Sequence, residues 1–265
     1  MKSESYSRPL ALLCALVAAA VFTRPASAQE FGYHDPIGPS DWCGLSTDNV
    51  ACCGGGGQQS PIDIVPSAVQ SEKKLPALRL HLAGTTTLDV ENNGHTVQTN
   101  VPTGAGILEL NGTVYNLLQF HFHTPSEHTV NGQHAPIEMH MVHKTPDGSK
   151  TAVVGVFILP GRENKELQKI WSNLPDEEGE EIEVEGFSLH GIVPGKKVTF
   201  RYAGSLTTPP CTEGVSWNLF ATPITMSQSQ IEEFQDVFSG EDFPNGNARP
   251  TQPLGNRVVT TDAKK

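Results

Sequence analysis

The sequence predicts a mainly β fold of the α+β type, in a single large domain. Three observations carry this. Gly 25 and Pro 20 among 265 residues, with short apolar runs, suit many brief strands and tight turns better than long helices. Residues 75–160 form a series of strand-like segments separated by turn signals, and only two stretches carry a helical pattern. No internal repeat and no Pro/Ser-rich linker divides the chain, so residues 29–265 read as one domain.

The elements follow in order. Residues 1–28 read as a secretory signal. Lys2 and Arg8 form a basic start, and Leu10 to Phe22 is an apolar stretch too short to span a bilayer. Ala26-Ser27-Ala28 is a small-residue cleavage site, so the mature chain is expected to begin at Gln29 and to carry no membrane anchor. Residues 29–58 show no strand or helix periodicity and read as an irregular arm. Asn92-Asn93-Gly94, Asn111-Gly112, Asn131-Gly132 and Pro146-Asp147-Gly148 are turn signals. Thr151 to Leu159 is a nearly continuous apolar run, as expected of a strand covered on both faces. Helices are expected over Glu163 to Trp171 and over Gln228 to Phe238. In the second, Ser227 is the N-cap, Gln230 lies three residues on, and Ile231, Phe234 and Phe238 form the buried stripe. Pro175 to Glu185 is acidic and expected to be solvated.

The formal net charge of -11 disfavours nucleic acid or an anionic membrane as partner. Export places the cysteines in an oxidising compartment, either periplasmic or extracellular. Cys14 leaves with the signal. Cys43, Cys52, Cys53 and Cys211 remain, and four cysteines allow three pairings. A Cys52–Cys53 bridge between neighbours is disfavoured by strain.

Chemistry concentrates in the histidines. In Gln119-Phe120-His121-Phe122-His123, strand alternation puts Gln119, His121 and His123 on one face and the two phenylalanines on the other. The segment Ile137 to His143 repeats the pattern. Glu138, His140 and Val142 share a face, opposite Ile137, Met139 and Met141. If the two strands are antiparallel neighbours, His140 meets His121 and His123. Three neutral imidazoles that leave one coordination position open are the donor set of a catalytic zinc site. Gln119 and Glu138, each two residues before a histidine on its face, are placed to orient the rings. His34, His81, His134 and His190 lack such context and read as surface or turn residues. No His-Glu-x-x-His or Gly-x-Ser-x-Gly is present, which removes the main support for a metalloprotease or a serine hydrolase.

Several ordered motifs resemble the α-class carbonic anhydrases. They are Gln59-Ser60-Pro61-Ile62, Asn93-Gly94-His95, Gln119 to His123, Ser126-Glu127-His128-Thr129 and Glu138 to His143. Ser205 to Cys211 follows, then Val215 and Trp217, then Asn247-Ala248-Arg249-Pro250 through Asn256-Arg257. The resemblance covers most of residues 33–257. It implies a large, twisted, mostly antiparallel central sheet of about ten strands, a few surface helices and a conical cleft with zinc at its base. The implied reaction is the reversible hydration of carbon dioxide to bicarbonate and a proton, with that small molecule as substrate. A monomer or a homodimer is expected.

The same resemblance implies roles residue by residue. His121, His123 and His140 hold zinc. Thr207 accepts a hydrogen bond from the activated water and donates one to Glu127, while Thr208 lies near bicarbonate. Val142, Val153, Leu206, Val215 and Trp217 form the apolar wall where carbon dioxide rests. His95 relays the proton, with Tyr33 and Asn93 ordering the water chain to it. His128 is a buried structural residue bonded to Glu127. Ser60–Pro61 and Pro209–Pro210 are expected to be cis. The segment between His123 and Glu127 is shorter than in animal members, which implies a more open cleft, and Gln98 stands where those often carry Asn. For the disulfides, counting back from Gln59 matches Cys53 to the family cysteine that bridges to Cys211, whereas counting forward from Trp42 matches Cys52. The reading favoured is Cys53–Cys211 with Cys43–Cys52 as a second, local bridge. Relatives that have lost catalysis typically lack one or more of the zinc histidines, and none is missing here.

Overall fold

The computed structural model describes residues 31–263 apart from 55, 56, 73, 74 and 77, so the expected signal peptide lies outside the described residues. Its principal feature is a 13-stranded sheet. The main path runs Glu181–Phe187, Thr86–Asn92, Val97–Asn100, Thr113–His123, Ile137–Lys144, Thr151–Pro160, Glu213–Phe220, Thr199–Ser205, Thr260–Thr261, Gln70–Ser71. Most neighbours are antiparallel. The Thr151–Pro160 strand instead runs parallel to Glu213–Phe220 and to Ile224–Met226, and the two short edge strands pair in parallel.

Two apolar cores explain why the sheet is covered on both sides. Phe120, Phe122, Ile137, Met139, Met141, Val154, Val156 and Ile158 point into the larger one. Val153, Phe157, Val215, Trp217 and Leu219 point into the other. The Thr151–Pro160 strand therefore sends alternate side chains to opposite cores, which is why its sequence lacks polar alternation. At the Asn111-Gly112 and Asn131-Gly132 turns both residues take positive φ, 50° and 76° at the first and 51° and 74° at the second. That geometry matches the twist of the strands they join.

The expected C-terminal helix spans Gln228–Val237, with Ser227 and Gln230 forming a reciprocal capping box. Its Phe234 packs against Phe122 and Trp171 from the far side of the sheet. Two expectations are corrected, and the solvated acidic segment gains a strand. The helix expected from Glu163 is one turn, Gln168–Trp171, because the Asn164 side chain accepts the N–H groups of Glu166 and Leu167 and delays its start. The acidic segment after Pro175 contributes the edge strand Glu181–Phe187, whose mostly exposed side chains stay solvated while its backbone pairs with Thr86–Asn92. The arm is partly helical, with a short α-helix at Trp42–Leu45 and a 3-10 helix at Thr47–Cys53.

The disulfides also differ from the expected pairing: they are Cys43–Cys53 and Cys52–Cys211. At three residues per turn, successive side chains on a 3-10 helix diverge by about 120°. Cys52 therefore faces Trp42 and the fully buried Cys211, while Cys53 stays on the exposed side with Cys43. The Ser60–Pro61 and Pro209–Pro210 bonds are cis, as are Asp35–Pro36 and Thr124–Pro125.

Candidate metal centre

The strands Thr113–His123 and Ile137–Lys144 are antiparallel neighbours, and their register sets His140 opposite His121 and Glu138 opposite His123. Phe120, Phe122, Met139 and Met141, all fully buried on the other face, lock that register, since a one-residue slip would drive imidazoles into the apolar core. One ring nitrogen from each of His121, His123 and His140 lies within 4.8 Å of the others.

The remaining ring nitrogens fix the tautomers. His121 Nδ1 donates to Gln119 Oε1 at 2.8 Å, His123 Nδ1 to the Asn247 carbonyl at 2.8 Å, and His140 Nε2 to Glu138 Oε1 at 2.8 Å. All three partners are acceptors, so these nitrogens carry the protons. His121 Nε2, His123 Nε2 and His140 Nδ1 are left as lone pairs. His123 Nε2 is buried with no hydrogen-bond partner, and so is Glu127 Oε2, which lies 3.6 Å from His123 Nε2 and 3.8 Å from His140 Nδ1. Buried electron-rich atoms converging on one region are a poor mutual fit and a good fit to a cation. These three imidazoles could hold a divalent metal.

The electrostatics hold two of the three rings neutral and favour the charged form of the third, His140. Burial, then repulsion from His123 and His140, holds His121 well below the ordinary histidine range, and burial also lowers His123. Burial alone would lower His140, but the Glu138 carboxylate outweighs it. Glu138 itself stays ionised despite burial because His128 and His140 both favour its charged form.

The sequence anticipated Gln119 and Glu138 as orienting groups. It gave no role to Asn247, whose contribution is a backbone carbonyl and so has no side-chain signature. Two expected contacts are corrected. His128 bonds not Glu127 but Glu138, through Nδ1 at 2.8 Å and its backbone N–H at 2.8 Å, and its Nε2 accepts from the Tyr202 hydroxyl at 2.6 Å. Glu127 instead accepts the Arg249 backbone N–H on Oε1 at 3.0 Å, while its unpartnered Oε2 takes no hydrogen bond from Thr207.

A cavity of about 500 Å³ opens on the histidines. His121, His140 and Gln119 line it, with Val142, Val153, Leu206, Val215 and Trp217 as apolar wall and Thr207 and Thr208 at one side. The wall belongs to the second apolar core, so its shape is fixed from behind. Tyr33, Asn93 and His95 line a different cavity, of about 970 Å³. His95 stacks on Phe31 with ring centroids 3.9 Å apart. Burial lowers its pKa, partly offset by the Glu178 carboxylate. Asn93 accepts the backbone N–H groups of His95 and Thr96, which shapes the loop. Tyr33 is buried with its hydroxyl unpartnered. The other four histidines remain outside the centre, as expected: His34 pairs with Asp242 at 3.8 Å and His81 with Glu109 at 3.3 Å, while His134 and His190 are exposed.

Fold and site together define a β-sheet protein with a three-imidazole centre, an open face and a small apolar pocket beside it. The sequence profile of the eukaryotic-type carbonic anhydrase family matches residues 37–263. A carbonic anhydrase of Neisseria gonorrhoeae is 38% identical over 246 residues, covering 92% of this chain and 93% of that one. The α-carbonic anhydrase of Thermovibrio ammonificans, solved with the inhibitor sulfanilamide, superposes with a TM-score of 0.81 at 38% identity, over 88% of this chain and 100% of that one. Dioscorin complexed with ascorbate gives 0.80 at 33% identity, over 88% and 97%. This chain belongs to the α-carbonic anhydrase family, zinc enzymes whose reaction is the hydration of carbon dioxide.

Proposed function

We propose that this chain performs that reaction with His121, His123 and His140 as its zinc ligands. The observation that carries the assignment is the set of three lone pairs, each fixed by a hydrogen bond on the opposite ring nitrogen and all directed at one region. Zinc bound there supplies Lewis acidity, which makes water nucleophilic at neutral pH. The chain's own groups do the rest. Gln119, Glu138 and the Asn247 carbonyl keep each ring in its metal-binding tautomer. Val142, Val153, Leu206, Val215 and Trp217 exclude ordered water and receive the apolar substrate. Thr207 and Thr208 offer hydrogen bonds to the polar product, and Glu127, held by the Arg249 backbone N–H, sets a buried carboxylate beside the histidines. His95 accepts the released proton and passes it to solvent. Asn93 shapes the His95 loop, and Tyr33 lines the cavity through which the water chain to His95 would run. The two disulfides and the N-terminal pattern support export to the periplasm or beyond, with residues 1–28 removed.

The test is stopped-flow hydration of carbon dioxide with metal content measured in parallel. His123→Ala should lose most bound zinc and at least about a hundredfold in kcat/KM, in keeping with the loss of a group that builds the catalytic centre. Retained zinc with full activity would overturn the ligand assignment. His95→Ala should slow turnover in weak buffer, spare kcat/KM and respond to added imidazole. Normal turnover in weak buffer would remove His95 from the proton path.

A further inference from the structure

Asn247 is fully buried and makes an unusual number of bonds for one residue. Its backbone carbonyl accepts His123 Nδ1, and its backbone N–H donates to the Thr124 carbonyl at 3.0 Å. Its side-chain Oδ1 accepts the Thr124 N–H at 2.7 Å. Its Nδ2 donates twice, to the carbonyl of His95 at 3.0 Å and to the carbonyl of Phe122 at 3.0 Å. Phe122 stands between His121 and His123. One carboxamide thus joins the backbone of the strand that presents two of the imidazoles to the backbone of His95, 152 residues away.

The surroundings make this a built junction. The preceding Gly246 has φ of 74°, and a Cβ there would come within 1.8 Å of the Thr124 carbonyl oxygen. The chain can therefore pass this close only as glycine. Across the junction the Thr96 hydroxyl accepts the Phe122 N–H at 3.2 Å, and the His95 N–H is held by Asn93 at 3.1 Å. The His95 backbone is thus fixed on its N–H side by Asn93 and on its carbonyl side by Asn247.

We propose that the Asn247 side chain is a positioning residue that sets the place of His95 relative to the metal centre. The proposal rests on the reading of His95 as the proton acceptor. A carboxamide suits the position because two carbonyls need two N–H donors from one group while Thr124 needs an acceptor on that same group. An Asp would keep the acceptor but set an oxygen against two carbonyl oxygens. An Ala would take these side-chain partners from the His95 carbonyl and the Thr124 N–H, and would leave the Phe122 carbonyl to the Thr96 hydroxyl.

Asn247→Asp and Asn247→Ala are compared with wild type and His95→Ala, zinc content being measured for each. Two readouts are taken: hydration kinetics in weak and imidazole buffers, and the His95 imidazole resonances of the metal-free protein. In both Asn247 variants weak-buffer kcat should fall by about tenfold more than kcat/KM, since a misplaced proton-transfer group loses part of its ordinary 10²–10⁴-fold contribution. Imidazole should restore that difference. The His95 resonances should shift or broaden in both variants and stay unchanged in Gln119→Ala, whose lost side-chain hydrogen bond goes to His121. Proportional losses of kcat and kcat/KM without imidazole rescue, or an unmoved His95 resonance, would overturn the proposal. If Asn247→Ala does not fold, Asn247→Asp carries the same comparison, because it retains the acceptor for Thr124. Normal weak-buffer turnover in His95→Ala would defeat the proton-relay reading separately, and the resonance would then decide the junction by itself.

Discussion

At the scale of single residues, function here depends on which nitrogen of each imidazole carries the proton. His121 and His123 are protonated at Nδ1, whereas His140 is protonated at Nε2, and each choice is imposed by one acceptor. Two of those acceptors were legible in sequence, because strand alternation places Gln119 and Glu138 on the faces of their histidines. The third is a main-chain carbonyl from residue 247, and no side-chain pattern announces it. The environment of His95 was equally hidden: its stacking on Phe31 and its proximity to Glu178 join segments far apart in sequence. This arrangement yields a pH prediction. Burial disfavours the imidazolium, so His95 titrates below the ordinary 6.5, and the Glu178 carboxylate favours the imidazolium and pulls it partly back. Glu178→Gln should lower the His95 pKa further and move the low-pH limb of the weak-buffer kcat profile in the same direction. An NMR titration of His95 checks this, and an upward shift would refute it. His34, Asp176 and Asp242 line the same cavity and remain in place in the variant.

At the scale of elements, the paired His-x-His and Glu-x-His strands were readable because period-two alternation ties each histidine to a face and each Phe, Met or Ile to the other. The C-terminal helix was readable from its cap and stripe. Cysteine pairing was not, because it turns on the helical phase of Thr47–Cys53, and an arm with no periodicity offers no clue to that phase. The two bridges should contribute unequally. Cys43–Cys53 closes a separation of 10 residues and Cys52–Cys211 one of 159. Chain-entropy reasoning assigns them roughly 2–3 and about 5 kcal/mol, respectively. Cys43→Ser with Cys53→Ser should therefore lower the denaturation free energy less than Cys52→Ser with Cys211→Ser. The second pair should also disturb the Thr207–Thr208 side of the cavity, since Cys211 donates its N–H to the Thr208 carbonyl at 2.8 Å. Chemical denaturation of both double variants decides the order.

For the whole molecule, a sheet with a core on each face leaves little room for charge, yet His143 is fully buried. Burial pushes its pKa down to about 4 from 6.5, against the opposing effect of its hydrogen bonds to the Met141 carbonyl and the Ala152 backbone. The unfolded chain therefore binds more protons than the folded one between those values. Stability is fully present above 6.5, falls as pH drops through that window and levels off below about 4, by about 3 kcal/mol from this group. His143→Asn should reduce the pH dependence of unfolding free energy between pH 6.5 and 4, measured by denaturant titration at several pH values. An unchanged slope would show that His143 does not titrate in that range.

The sequence by itself determined the β class, the faces of the strands, the three imidazoles and the apolar residues beside them, because each depends on alternation along one strand. Tertiary structure alone decided the disulfide partners, the acceptor behind His123, the partner of His128 and the cavity that His95 faces. Those depend on which distant segments meet. Only the packed sheet, with both its faces covered and its arm laid against Cys211, brings such segments within hydrogen-bond or covalent reach.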